Sequence, residues 1–229
     1  MRDRRAIDAT ARGLLTALSV IASVHAAPDG EPSVADVYAQ SSRSVVVIVA
    51  GTQQTGRYAQ GSGVVINPAI VVTNCHVLKT AQEVSVVYDE AIYPAPRVLD
   101  SNIDRDLCVL EVPGLPAPAI ALGSTVALRV GEKVLAIGAP HGVDLGVDLS
   151  LSEGLISSLR RTANEAYPII QTSAPISQGS SGGALLDRNG GLIGITTAVH
   201  KSGQNLNFAV PVDWVREFPA AQPRGLRDR

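Results

Sequence analysis

The chain has 229 residues and a formal net charge of −2, with 45% hydrophobic and 17% charged residues. This composition is typical of a compact globular protein with a sizeable core, and it excludes a disordered or fibrous chain. No cluster of Lys and Arg occurs beyond the first residues, so we do not expect a nucleic-acid-binding surface.

Residues 1–26 have the pattern of a secretory signal peptide. Arg2, Arg4 and Arg5 lie ahead of the apolar stretch 13–24, and small residues favour cleavage after Ala26. A short membrane anchor is the alternative, but about 12 apolar residues are too few to span a bilayer. The pair Arg4 and Arg5 leaves both Sec and twin-arginine export open. We therefore expect a periplasmic or secreted protein whose mature chain has no stable membrane span.

The remaining chain has the pattern of many short strands. Residues 27–33 form a polar leader, and 34–44 are predicted to contain one short helix. About six strands are expected within 44–113 and six more within 130–212, because Val, Ile and Leu recur in short runs bounded by Gly, Pro and Asn. Antiparallel barrels close such strands without leaving edges. The predicted fold class is all-β, with two antiparallel six-stranded β-barrels, a short C-terminal helix and a polar tail over 216–229.

The chain has two cysteines, Cys75 and Cys108, and both lie in apolar, strand-like segments. They are either two buried thiols or a disulfide, and the even count together with export favours the disulfide. Neither their spacing nor the neighbouring residue types suggests a zinc site. We expect no metal and no cofactor.

Three chemical types of residue lie where predicted strands begin or end. His76 follows an apolar run, Asp106 precedes one, and Ser180 and Ser181 lie in "GSSGG" ahead of "ALLD". A serine hydroxyl is a weak nucleophile that needs an imidazole to accept its proton and a carboxylate to orient that imidazole. A flexible linker is the alternative for "GSSGG", but the flanks "APIS" and "ALLD" do not fit a solvated linker.

Together these motifs resemble the chymotrypsin-like serine proteases and, within them, the HtrA/DegP branch. The order His76, Asp106, Ser181 is the order of that family and differs from the orders in subtilisin-like and α/β-hydrolase enzymes. The resemblance implies a trypsin-like serine protease domain over 34–215. It is carried by "GSGVVI", "VVTNCHVL", "DRDLCVLEV", "GEKVLAIGAP", "SEGLISSL" and "GSSGGALLDRNGGLIGITTA".

The resemblance also implies a role for each residue of the serine turn. In the family's G-x-S-G-G turn the third residue is the nucleophile, so Ser181 is expected to attack and Ser180 fills the variable position. The backbone N–H groups of Gly179 and Ser181 would form the oxyanion hole. Asp106 is followed by an apolar stretch, as in the family, so it fits the catalytic carboxylate better than Asp104 does.

The same resemblance implies a substrate pocket. Pro175 would lie at its base, Ile176 and Val199 would line its walls, and the hydroxyl of Thr197 would touch the catalytic carboxylate. The strand through Thr197, Ala198 and Val199 would pair with the substrate backbone. Because no acidic residue lies at the base, we expect small aliphatic side chains at P1, the substrate position just before the scissile bond.

The expected function is that of an exported serine endopeptidase that cleaves unfolded or extended polypeptides. A catalytically silent protein of the same fold that binds extended chains is the alternative. The segment after Pro211 has too few residues to form a PDZ module, so we expect no PDZ domain. The sequence leaves the oligomeric state open.

Overall fold

A computed structural model describes residues 30–52, 57–79, 81–140, 148–161, 167–197 and 207–222. The helices are α1 (Val34–Ser41), α2 (Cys75–Leu78) and α3 (Val212–Val215), and two short 3₁₀ turns span Ser42–Ser44 and Pro219–Ala221. The strands are β1 (Val45–Thr52), β2 (Arg57–Asn67), β3 (Ile70–Thr73), β4 (Glu83–Tyr88), β5 (Ala91–Pro94), β6 (Arg97–Asn102), β7 (Leu107–Glu111), β8 (Lys133–Gly138), β9 (Ser150–Arg160), β10 (Ile169–Thr172), β11 (Ala184–Asp187), β12 (Leu192–Thr197) and β13 (Asn207–Pro211).

Helix α1 begins at a reciprocal cap. The Ser33 hydroxyl accepts the N–H of Asp36, and the Asp36 carboxylate accepts the N–H of Ser33, so two donors that lack helical partners are satisfied. The helix buries Val37. The short N-terminal helix predicted within 34–44 is thereby confirmed.

The first half of the fold is a seven-stranded antiparallel sheet with the strand order β5-β4-β1-β2-β3-β7-β6. Its apolar interior is built by Val and Ile side chains such as Val46, Ile48, Val65 and Val71. A six-stranded closed barrel was predicted here. The observed sheet has one more strand, and its two end strands are not paired in this order. Strand β5 returns along β4 through a tight turn in which Asp89 and Glu90 both have positive φ.

The second half is a closed antiparallel barrel of six strands in the order β10-β13-β12-β11-β8-β9, as predicted. Ile156, Ile170, Leu185 and Ile193 fill its interior. Register shifts leave Ser157 of β9 and Ile193 of β12 without a partner opposite β10 and β11, and such an extra residue bends the strand that carries it.

A third apolar cluster joins the two halves. It draws Val64 and Val72 from the first sheet, Ile137 and Ile195 from the second barrel, and Trp214 from α3. Because these side chains are buried together, the loops of both halves that surround the junction are held in fixed relative positions. The all-β class and the short C-terminal helix are confirmed. None of the helices in the described ranges is long and apolar enough to cross a membrane.

Candidate active site

Asp106 and His76 are joined by two hydrogen bonds. One Asp106 carboxylate oxygen, Oδ2, lies 2.6 Å from His76 Nδ1, and the other, Oδ1, accepts the backbone N–H of His76 at 2.9 Å. A carboxylate can only accept hydrogen bonds, so Nδ1 carries the proton and Nε2 keeps its lone pair. The His76 side chain is 39% exposed, so Nε2 can meet a second group or a substrate.

Asp106 is held in an unusual backbone conformation. Its φ is +55°, in a region that Asp tolerates better than most residues. Its N–H donates to the Ile103 carbonyl, and its own carbonyl accepts the N–H of Cys75 and the side-chain amide of Asn74. The Thr197 hydroxyl also lies 3.3 Å from Oδ2. These contacts fix both the backbone and the carboxylate, so the aspartate presents a defined face to the imidazole.

Arg105 anchors the segment that carries Asp106. Its guanidinium lies over the Trp214 ring, 4.6 Å from the ring centroid, and pairs with Glu217. Asp104, the other acidic residue of this segment, is exposed. The structure therefore brings Asp106, and not Asp104, against the imidazole.

Ser181 lies in a turn between two glycines that both have positive φ. Gly179 has φ +95° and Gly182 has φ +87°, and Ser181 is 6% exposed. The Ser180 N–H donates to the Ser177 carbonyl, which closes a four-residue turn with Gly179 in its third position. A positive φ at the third residue is typical of a type II turn, and glycine adopts it without a steric penalty.

Close packing explains why glycine also follows Ser181. A Cβ atom added to Gly182 would lie 2.1 Å from the Ser62 carbonyl oxygen and 2.4 Å from the Thr73 hydroxyl. A Cβ added to Gly183 would lie 2.4 Å from the Ile137 carbonyl oxygen. The turn is thus pressed against backbone on both sides.

Ser62 and Thr73 connect the serine turn to the segment that carries His76. The Ser62 N–H donates to the Ser181 carbonyl at 2.8 Å, and the Ser62 carbonyl accepts the Thr73 hydroxyl at 2.7 Å. Thr73 ends β3, three residues before His76. Neither Ser62 nor Thr73 was predicted to be functional. A serine between Gly61 and Gly63, directly before the apolar run 64–66, is the signal that was available.

A disulfide joins Cys75 to Cys108, as predicted, with a Cα–Cα distance of 5.0 Å. Both cysteines are buried. Cys75 begins α2 directly before His76, and Cys108 lies in β7 two residues after Asp106. The covalent bond therefore ties together the two segments that carry the imidazole and the carboxylate.

A cavity of about 190 Å³ lies behind the serine turn. Its lining includes Pro175, Ile176 and Ser180, together with Ser152 and Thr196, and none of the described residues that line it is charged. The Pro175 carbonyl accepts the Ser152 hydroxyl at 2.7 Å, and Ile176 is buried. Ser181 is not part of this lining.

Two predicted substrate residues, Ala198 and Val199, fall outside the described residues. Thr197, which precedes them, is the last residue of β12. Within the described ranges, no group of three or more His, Cys, Asp and Glu side chains is arranged to hold a metal ion.

A family model described as the trypsin-like peptidase domain matches residues 61–195 of this chain. The chain belongs to the trypsin-like peptidase family. The matched residues include Ser62, His76, Asp106 and the whole serine turn. Membership of this family accounts for the seven-stranded sheet and the closed barrel, which together match the chymotrypsin-like fold that the sequence predicted.

Curated relatives place this peptidase domain in the HtrA/DegP branch. It is 36% identical over 169 residues to a probable periplasmic serine endoprotease DegP-like from Pseudomonas putida (strain W619), an overlap of 71% of this chain and 34% of the relative. It is 37% identical over 163 residues to the putative serine protease HhoA from Synechocystis, with 67% of this chain and 40% of the relative covered. The chain thus spans roughly a third of the length of the DegP-like relative.

Solved structures of HtrA-type proteases also resemble this chain. The HtrA-type protease AlgW, solved with a tripeptide, superposes with a TM-score of 0.71 at 32% identity, over 81% of this chain and 62% of that one. The serine endoprotease from Yersinia pestis gives 0.68 at 27% identity, over 79% and 63%. The two-part β fold of the peptidase is therefore shared with HtrA-type proteases.

Proposed function

We propose that this peptidase is an exported serine endopeptidase that hydrolyses extended polypeptides with Ser181, His76 and Asp106. The observation that carries the proposal is the pair of hydrogen bonds from His76 to the two carboxylate oxygens of Asp106. They fix the imidazole in the tautomer whose Nε2 accepts a proton. Membership of the trypsin-like peptidase family supports the same chemistry.

In the first half of the reaction, Ser181 Oγ attacks the scissile carbonyl carbon as His76 Nε2 takes the hydroxyl proton. The tetrahedral intermediate collapses when the imidazolium gives that proton to the leaving amine, which leaves an acyl-enzyme on Ser181. In the second half, water attacks the ester, His76 again accepts a proton, and the carboxylic acid product leaves. Asp106 stays ionised and stabilises the imidazolium.

The negative oxygen of each tetrahedral intermediate needs preorganised donors. The N–H groups of Gly179 and Ser181 are the proposed donors, and the φ of +95° at Gly179 supports this assignment because it gives the turn a conformation that other residues rarely adopt. Each such donor contributes on the order of 10²- to 10³-fold to kcat in serine proteases.

The preference for small aliphatic P1 side chains remains a proposal about Pro175, Ile176 and Val199. Its support is the apolar character of Pro175 and Ile176 and the lack of a charged side chain in the described lining beside them. An uncharged pocket gives no partner to a Lys or Arg side chain. We further propose that the segment from Thr197 through Val199 pairs with the substrate backbone.

Export and an extended substrate are supported by different observations. The DegP-like relative from Pseudomonas putida is named as periplasmic, and the disulfide between Cys75 and Cys108 is of a kind that persists in oxidising compartments. AlgW was solved with a tripeptide, which shows that an HtrA-type protease holds a short peptide. We propose that this peptidase likewise acts on unfolded or extended chains.

The test is hydrolysis of unfolded casein by the wild type and by Ser181→Ala, together with labelling by a fluorophosphonate and mapping of the adduct. We expect cleavage and a Ser181 adduct in the wild type, and neither in Ser181→Ala. Ser180→Ala is the matched control, since it removes the neighbouring hydroxyl, and it should still be labelled. Casein that is bound but left uncut by the wild type would favour the silent binding protein.

A further inference from the structure

Ser62 lies in β2, in the first half of the fold, yet three of its hydrogen bonds cross to the second half. Its N–H donates to the Ser181 carbonyl at 2.8 Å, and its hydroxyl donates to the Gly179 carbonyl at 3.0 Å. The same hydroxyl accepts the N–H of Ala139 at 2.9 Å. Ser62 therefore contacts both residues whose N–H groups are the proposed oxyanion donors.

The direction of the Ser62 hydroxyl is determined by its partners. The Ala139 N–H can only donate, so it bonds to a lone pair of the Ser62 hydroxyl oxygen. The hydroxyl proton is then directed to the Gly179 carbonyl. Ser62 is fully buried, so no solvent competes for this proton. A buried hydroxyl that is paired in both directions holds its partners more rigidly than an exposed one.

The Gly179 carbonyl, which accepts the Ser62 hydroxyl, lies one peptide group after the Gly179 N–H, a proposed oxyanion donor. The turn closed by the Ser180 N–H and the Ser177 carbonyl contains the peptide between Gln178 and Gly179, which carries the Gly179 N–H. Turns of types I and II keep the same closing hydrogen bond and differ in the orientation of this central peptide. The closing bond alone therefore leaves the direction of the Gly179 N–H undetermined.

Successive carbonyls after that peptide are each held by the surrounding structure. The Gly179 carbonyl is held by the Ser62 hydroxyl, the Ser180 carbonyl by the Thr196 hydroxyl at 2.6 Å, and the Ser181 carbonyl by the Ser62 N–H. Ser62 holds the first and third of the series. Without its hydroxyl, the Gly179 carbonyl loses its only side-chain donor in the described hydrogen-bond network, and the turn gains freedom at Gly179.

We propose that Ser62 is a positioning residue for the oxyanion hole: its hydroxyl fixes the Gly179 carbonyl and thereby aims the Gly179 N–H. The proposal rests on the function proposed above. Ser62 is buried and does not touch substrate, so it acts through Gly179 and not as a catalytic residue.

The test compares Ser62→Ala with wild type on a fluorogenic peptide and with a peptidyl trifluoromethyl ketone. The ketone forms a hemiketal with Ser181 whose oxyanion needs the same donors as the intermediate. For Ser62→Ala we expect kcat to fall about 10- to 100-fold, less than the loss of a whole oxyanion donor, with KM within about twofold. The inhibition constant of the ketone should rise by about the same factor as kcat falls.

Thr172→Val is the matched control for loss of a buried hydroxyl. The Thr172 hydroxyl is also buried, donates to the Leu155 carbonyl and accepts the N–H of Ala174, each at 3.0 Å. Both variants should lose a similar amount of thermal stability, but Thr172→Val should keep wild-type kcat and inhibitor affinity. Should Ser62→Ala fail to fold, Ser62→Cys keeps a weaker donor there, and its kcat should still be below that of wild type.

The outcomes separate the two proposals. If the wild type neither cleaves peptide nor is labelled at Ser181, the proposed function fails. If the wild type is active but kcat and ketone affinity of Ser62→Ala, or of Ser62→Cys in its place, equal those of Thr172→Val, the function stands and the role of Ser62 is wrong.

Discussion

His76 and Asp106 are joined twice, once through the imidazole and once through the backbone, with one carboxylate oxygen for each bond. The backbone bond fixes the carboxylate relative to α2, and the side-chain bond then fixes the ring relative to the carboxylate. A single bond would leave the carboxylate free to rotate about its Cβ–Cγ axis. The two bonds together make the imidazole orientation a property of the fold.

Asp106→Asn is therefore expected to keep the fold and lose most of the activity. The amide can turn its N–H₂ group toward His76, which would favour the wrong imidazole tautomer, and kcat should fall on the order of 10⁴-fold. The measurement is kcat on a fluorogenic peptide together with the melting temperature. Asp104→Asn is the control, because Asp104 is exposed and should leave kcat unchanged. Equal losses in the two variants would contradict the assignment of Asp106.

Ser181→Ala and His76→Ala should each remove nearly all of kcat, on the order of a million-fold, because the nucleophile and its base act as a unit. The double variant should be scarcely slower than either single one. Active-site titration of each preparation excludes contaminating wild type. Additive losses in the double variant would show that the two residues act independently.

Gly182→Ala should abolish activity and destabilise the fold. Alanine at a φ of +87° costs roughly 1–2 kcal/mol, and its Cβ would also lie 2.1 Å from the Ser62 carbonyl oxygen. Gly131→Ala is the matched control, since Gly131 has φ +94° and open space where the Cβ would be. Gly131→Ala should lose only the stability that alanine costs at positive φ, and its kcat should equal that of wild type. Thermal unfolding and peptide hydrolysis measure both effects, and equal melting temperatures for the two variants would contradict the steric argument.

Reduction of the disulfide between Cys75 and Cys108 should lower both stability and activity. In the chain-entropy model, a loop with a sequence separation of 33 residues stabilises the fold by roughly 3–4 kcal/mol. Loss of the bond also frees α2 relative to β7, which loosens the contact between His76 and Asp106. The double variant Cys75→Ala/Cys108→Ala, compared with wild type by denaturant unfolding and by kcat, measures both effects.

Peptide mapping without reductant tests the disulfide itself in protein recovered from the exported fraction. We expect one linked peptide pair that contains Cys75 and Cys108. Two alkylatable cysteines after denaturation would show that the bond does not form in the cell, and the stability loss above would then not be observed on adding reductant.

The sequence alone determined the features that depend on local pattern. The strand-rich class followed from short apolar runs between turn residues, and the helix at Val34–Ser41 followed from an equally local pattern. His76, Asp106 and Ser181 were predicted as the catalytic set because a known family has these residue types in this order. The pairing of Cys75 with Cys108 followed from the even number of cysteines together with the predicted export.

The tertiary structure decided the contacts between residues distant in the chain. The Ser62 hydroxyl meets the Gly179 carbonyl across 117 residues, and no local pattern marks a serine in a buried strand as a partner of a turn in the other half of the fold. The same holds for Arg105, whose partners Trp214 and Glu217 lie in the C-terminal part of the chain. The first half has seven strands because the short segment β5 pairs with β4. Apolar periodicity within one segment does not specify which strand it pairs with.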